Sequence, residues 1–197
     1  MTSWNIICKS ILAGIAIGLG GTAYLSIDNH VVGALVFSLG LLVICCGDLY
    51  LFTGRLCFIE NKTQIWTLIA TYLGNWAGTA ITARIVIFGH PDLIVKANAL
   101  CEAKSQEDWR VILLGILCNI LIFFAVGFFK PTVTGTYLIL VLCIMAFILC
   151  GFEHCIANIF YYSLAGHYDI KFIALNTLGN FIGGFGAYRL YKGGLDE

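Results

Sequence analysis

Gly151-Phe152-Glu153-His154-Cys155-Ile156-Ala157-Asn158 decides how this chain folds, because it sets polar and ionisable groups inside an apolar run. Residues 134–149 before it are almost wholly apolar, and residues 159–165 after it resume the pattern. A charge at bilayer depth costs about 3 kcal/mol unless it lines a cavity or finds a partner. The stretch therefore predicts a break in a membrane-crossing helix, and it is the first place to look for function.

The composition around it is that of a membrane protein. Of 197 residues, 60% are hydrophobic and 11% charged, against about a quarter charged in soluble domains. The mean hydropathy is +0.92. A spanning helix needs roughly 20 apolar residues, and six stretches qualify: 4–27, 31–59, 65–88, 111–129, 133–165 and 172–190. The joints at 28–30, 60–64, 90–110, 130–131 and 166–171 are polar. The expectation is one all-α transmembrane domain over residues 1–197, without length to spare for a soluble domain, a cleaved signal or a nucleotide-binding module. Net charge is zero, which argues against a nucleic-acid partner. With the N-terminus inside, six Lys and Arg fall in the cytoplasm and five outside; this slight bias points to cytoplasmic termini.

Nine cysteines invite a redox or metal reading. Most lie within spans, none form a Cys-x-x-Cys pair, and buried Cys behaves as a small hydrophobe. The four histidines are scattered, and only His154 is central to a span. A haem or metal enzyme would need histidines on facing helices. No metal, cofactor or enzymatic activity is expected.

The chain also repeats itself. Leu73-Gly74-Asn75-Trp76-Ala77-Gly78 echoes Leu178-Gly179-Asn180-Phe181-Ile182-Gly183 at an offset of 105; Cys46-Gly47 echoes Cys150-Gly151 at 104; Gly14 and Gly115 stand 101 apart. The units, about 4–89 and 109–192, hold three spans each, so the second is inverted in the membrane. Inverted repeats characterise transporters and channels whose sites lie near the midplane. The second and fifth spans carry matching polar interruptions, at residues 47–54 and 151–158. Backbone of that kind survives at depth only where it is buried or lines a watery cavity, so a central pore is expected. Gly14-x3-Gly18, Gly74-x3-Gly78 and Gly179-x3-Gly183 predict close helix packing.

Single residues leave alternatives open at this level. His154 is either a satisfied core histidine or a pore group, and an unperturbed imidazole exchanges protons near pH 6.5. Glu153 is suited to accept backbone N–H groups freed by the break. Thr53 is suited to cap the second half-helix or to hydrogen-bond within the pore. Asn119, mid-span, is either interhelical glue or pore lining.

Gly151-Phe152-Glu153-His154 followed by Ala157-Asn158, with Leu51-Phe52-Thr53-Gly54 and Leu178-Gly179-Asn180-Phe181-Ile182-Gly183-Gly184, resembles the formate–nitrite transporter family over essentially the whole chain. The resemblance implies an aquaporin-like six-helix fold with broken second and fifth helices. It also implies a homopentamer in the plasma (inner) membrane, with one pore per protomer. The cargo implied is a small monovalent anion or its weak acid, such as formate, nitrite, hydrosulfide or lactate, moving with protons. By position, His154 matches the family's pore histidine and Thr53 the threonine facing it. Phe37 and Leu41 match one apolar constriction and Phe147 the other, Asn119 matches an asparagine beside the pore, and Lys104 matches a lysine at the outer vestibule. Tyr50 stands where an acidic residue is common, with Asp48 two positions earlier, and Ser163 replaces a common proline. These departures bear on which anion is preferred.

The expected mechanism gathers the anion at Lys104, protonates it between the two apolar rings beside His154 and Thr53, and passes it on as the neutral acid. The rival is conduction of the bare anion past a protonated His154. An aquaporin-type channel for neutral solutes is the alternative function. It lacks support in paired Asn-Pro-Ala motifs, since the only prolines, Pro91 and Pro131, lie in joints.

Overall fold

The computed structural model describes residues 3–104 and 107–194, and it is all-α among them. The helices are α1 (Ser3–Ser26), α2 (His30–Cys46), α3 (Phe52–Arg55), α4 (Thr63–Gly89), α5 (Leu93–Ala103), α6 (Asp108–Gly127), α7 (Gly135–Leu149), α8 (Cys155–Ala165) and α9 (Ile170–Gly193), with a 3-10 turn over Leu56–Phe58. The second span divides into α2 and α3, and the fifth into α7 and α8.

The bundle buries polar groups beside its apolar core and turns apolar side chains outward. Its centre buries Ser10, Thr71, Asn75, Thr79, Asn119, Asn176 and Asn180, while Leu12, Leu39, Leu73, Ile85, Leu138 and Leu178 face outward. With lipid outside, apolar exposure costs nothing, and buried amides contribute by bonding to one another and to backbone.

Backbone contact supplies the rest of the packing. α1 lies against α4 and α6 against α9. A side chain on Gly78 would run into the Ile11 carbonyl, and one on Gly179 or Gly183 into those of Ile112 and Ile116. Gly186, on the same helix as Gly183, faces open space. Gly78→Ala is expected to cost about 1–3 kcal/mol by overpacking, lowering the thermal midpoint in detergent. Gly186→Ala should leave that midpoint level or slightly raised.

One joint is not the polar loop expected. Residues 90–110 contain α5, whose Leu93, Ala97 and Cys101, spaced by four, are buried together. Eleven residues interrupted by Lys96, Asn98 and Glu102 are too short and too polar to read as a span, yet one apolar stripe suffices to dock them. α5 packs on α8 and ends at Lys104, and so carries that lysine to the fifth-span break.

Candidate functional site

The two breaks are built by one hydrogen-bond pattern used twice. The Asn75 amide accepts from the Phe52 N–H (2.8 Å) and donates to the Ser10 and Tyr50 carbonyls (2.7 and 2.8 Å). The Asn180 amide accepts from the Cys155 N–H (2.8 Å) and donates to the Gly115 and Glu153 carbonyls (2.9 and 2.8 Å). Each asparagine thus satisfies backbone groups that the interrupted helix leaves open. Tyr50 N–H donates to the Lys9 carbonyl as Glu153 N–H does to that of Leu114, both at 3.3 Å. Tyr72 and Thr177, themselves related by the repeat, meet hydroxyl to hydroxyl at 3.2 Å, as positions on a pseudo-twofold axis must.

This pattern corrects the register of the repeat at the breaks. Equivalent positions there stand 103 apart rather than 104: Leu49 N–H reaches the Ile44 carbonyl as Phe152 N–H reaches that of Phe147, both at 2.9 Å. Gly151 (φ 68°) is therefore matched by Asp48 (φ 46°) and not by Gly47. The turn demands a left-handed residue, which Asp tolerates better than most side chains. Tyr50 is thus the counterpart of Glu153.

The breaks bring His154 and Thr53 together. Thr53 Oγ1 lies 3.0 Å from His154 Nε2, and both residues are buried. His154 is also the N-cap of α8: its Nδ1 accepts from the Ala157 N–H at 3.1 Å. Because that backbone group can only donate, Nδ1 carries no proton, and the neutral ring donates its Nε2–H to Thr53. Thr53 does not cap α3. The N-cap position is Leu51, whose side chain makes no capping bond, and Asn75 supplies the missing acceptor. Thr53 is held instead by its carbonyl, which accepts from Asn119 Nδ2 at 3.0 Å and Cys57 Sγ at 3.4 Å. Asn119 is fully buried, and its Oδ1 has no partner among the described residues.

Among the described residues no backbone N–H reaches the Glu153 carboxylate. Oε2 accepts from Lys104 Nζ at 2.6 Å and from Asn158 Nδ2 at 2.8 Å. The Asn158 amide also donates to Asn176 Oδ1 at 2.8 Å, and Asn176 Nδ2 to the Glu153 carbonyl at 2.6 Å. The Lys104 and Glu153 side chains are 15% and 2% exposed. Lys104, which the resemblance matches to a vestibule lysine, is thus committed to a largely buried ion pair. Asn158 lay in the motif and Asn180 in the repeat, so both were visible in sequence. Asn176 and the 3.0 Å clamp on Thr53 were signalled by nothing local.

Two cavities lie at the breaks, one lined by His154 and the other by Leu51 and Gly54 on either side of Thr53. One, of about 110 Å³, is lined by Tyr24, Phe37, Lys104, Phe147, His154 and Asn158 among others. The other, of about 260 Å³, is lined by Leu41, Ile44, Asp48, Leu51, Arg55 and Phe129 among others. Phe37 and Phe147 meet edge to face at 6.1 Å, and Phe147 stacks on His154 at 5.7 Å. Phe37 therefore packs with Phe147 at the first cavity, while Leu41 sits at the other with Leu51. The resemblance groups Phe37 with Leu41, whereas the structure puts them at different cavities: sixteen and twelve residues before Thr53, they lie a turn apart on α2.

The comparisons agree with this architecture. The family described as formate/nitrite transporter matches residues 1–192. The chain is 32% identical over 152 residues to the formate channel FocA of Haemophilus influenzae, covering 67% of this chain and 52% of that protein. It is 30% identical over 209 residues to the nitrite transporter NirC of Salmonella typhimurium, covering 89% and 77%. The match spans about half the length of the Haemophilus protein. A pentameric formate channel with formate bound has the same fold, at a TM-score of 0.87 and 24% identity over 98% of this chain and 97% of that one. A broken-helix bundle of this kind, matched along nearly its whole length, makes the chain an integral membrane protein of the formate/nitrite transporter family.

Proposed function

We propose that this protein conducts a small monovalent anion or its weak acid, of the class of formate, nitrite or hydrosulfide, across the plasma (inner) membrane with both termini in the cytoplasm. It works as a homopentamer with a pore through each protomer. It is a channel or transporter and not an enzyme, and its partners are the anion, protons and lipid. The observation that carries this reading is the buried Thr53–His154 contact at 3.0 Å between two cavities, at the point where both broken helices meet.

The apolar residues Phe37 and Phe147 on one side, and Leu41 and Leu51 on the other, make a bare charge expensive: desolvating an ion costs several kcal/mol. A neutral acid escapes that cost. Between the rings the anion takes a proton relayed from bulk solvent through water, His154 staying neutral throughout, while the Nε2–H of His154 and the hydroxyl of Thr53 supply hydrogen bonds to it. The α8 cap favours this mechanism over a standing imidazolium, because protonating Nδ1 would sacrifice the bond to Ala157 and set two N–H groups face to face. Glu153, Asn158 and Lys104 hold the break in shape beneath the ring, and Asn119 holds Thr53.

Light-scattering uptake into proteoliposomes tests the reading, with formate, nitrite, hydrosulfide, lactate and glycerol at two pH values. Uptake of one small anion, faster at the lower pH, is expected. Glycerol uptake without anion uptake would turn the reading into a neutral-solute channel of aquaporin type.

A further inference from the structure

The repeat places Tyr50 where the other half has Glu153, and the two mouths of the pore diverge in charge as a result. At the Glu153 break, one lysine is neutralised by one buried carboxylate, Lys104 Nζ to Glu153 Oε2 at 2.6 Å. At the Tyr50 break the described residues supply two cations for one carboxylate. Asp48 accepts from Lys9 Nζ at 2.8 Å and Arg55 Nη2 at 3.1 Å, and its side chain is 69% exposed. The Arg55 guanidinium lies 3.7 Å from the Tyr50 ring centre, with Lys9 at 5.6 Å. The ring therefore fixes the plane of the guanidinium, and Arg55 and Asp48 both line the 260 Å³ cavity.

We infer that Arg55 is an anion-recognition site at this second mouth, where the guanidinium receives a planar oxyanion, a carboxylate or nitrite, in competition with Asp48. The inference rests on the transport reading above and extends it to a loading site on the side opposite Lys104. Among the described residues Asp48 takes one Nη donor, at 3.1 Å, and a stacked guanidinium presents its remaining N–H groups edge-on as a fork. A fork matches two oxygens held in a plane, and it has no comparable fit for hydrosulfide, which offers a single acceptor atom. The site therefore selects by shape as well as by charge. Lys9 keeps Asp48 from closing permanently on Arg55, since the carboxylate is shared between two cations. The excess positive charge draws anions toward this mouth by the same field effect.

The test is the concentration dependence of formate, nitrite and hydrosulfide flux in proteoliposomes for wild type, Arg55→Gln, Arg55→Lys and Asp48→Asn. Arg55→Gln is expected to raise the half-saturating concentration of all three anions roughly three- to fivefold, the scale of a partly exposed charge contact. Arg55→Lys should restore hydrosulfide to near the wild-type value and leave formate and nitrite weakened. Asp48→Asn removes the competitor while keeping a residue that accepts the left-handed turn, and should lower the half-saturating concentration for formate and nitrite. If Arg55→Gln does not fold, the lysine and asparagine variants decide. Half-saturation unchanged in every folded variant, with wild type transporting normally, overturns the inference. Wild type passing none of the three anions would instead remove the transport reading on which it stands.

Discussion

Lys104→Met is expected to destabilise the protein by about 3–5 kcal/mol, the cost of stranding one partner of a buried ion pair. Glu153 is 2% exposed, and after the substitution its Oε2 would keep only the neutral amide of Asn158, at 2.8 Å. The carboxylate hangs from the break itself, with its own carbonyl bonded to both Asn176 and Asn180. Stress there reaches His154 at the next residue. The loss should therefore appear twice, as a fall in the thermal midpoint in detergent and as reduced anion flux. The check is a double-mutant cycle with Glu153→Gln. If the pair is worth little net, the double variant recovers most of the stability that Lys104→Met loses, because no stranded charge remains. A Lys104→Met variant as stable as wild type would show that the lysine is a solvated surface charge despite its 15% exposure.

The same residues show where sequence reading succeeds and stops. The spans, the breaks and the glycine faces follow from hydropathy and small-residue spacing, which are local properties of the chain. The Glu-His pair was legible because polarity at that depth is expensive. The partner of Glu153 was not, because it arrives from α5, an element whose apolar stripe of Leu93, Ala97 and Cys101 is hidden among polar residues. Matching Gly47 to Gly151 compares residue identity and places the breaks one residue out of register. The turn selects a backbone conformation, which Asp48 supplies. The family resemblance, read without gaps back from Thr53, groups Phe37 with Leu41. What separates them is the Thr53–His154 pair, a contact between residues 101 positions apart that neither half of the chain announces alone.

That pair performs two tasks, and one substitution can divide them. His154 caps α8 through Nδ1 and reaches Thr53 through Nε2. Phenylalanine would remove both contacts, so a dead His154→Phe channel could have failed by unfolding: losing an N-cap alone costs about 1 kcal/mol. Asparagine is among the best N-cap residues, and its amide oxygen can take the Ala157 N–H while leaving Thr53 without a partner. His154→Asn is therefore expected to keep its thermal midpoint close to that of wild type. Its anion flux should fall by roughly a hundredfold, the scale of losing a preorganised polar contact worth about 2.7 kcal/mol at the step it serves. The residual flux should lose its rise at low pH, because the Nε2–H and the Thr53 hydroxyl no longer donate together to the anion at the point of protonation. Measuring uptake against pH for this variant separates the mechanisms. Wild-type flux with an unchanged pH profile would remove His154 from the transport path and leave it as the cap of α8, with selectivity resting on the apolar rings alone.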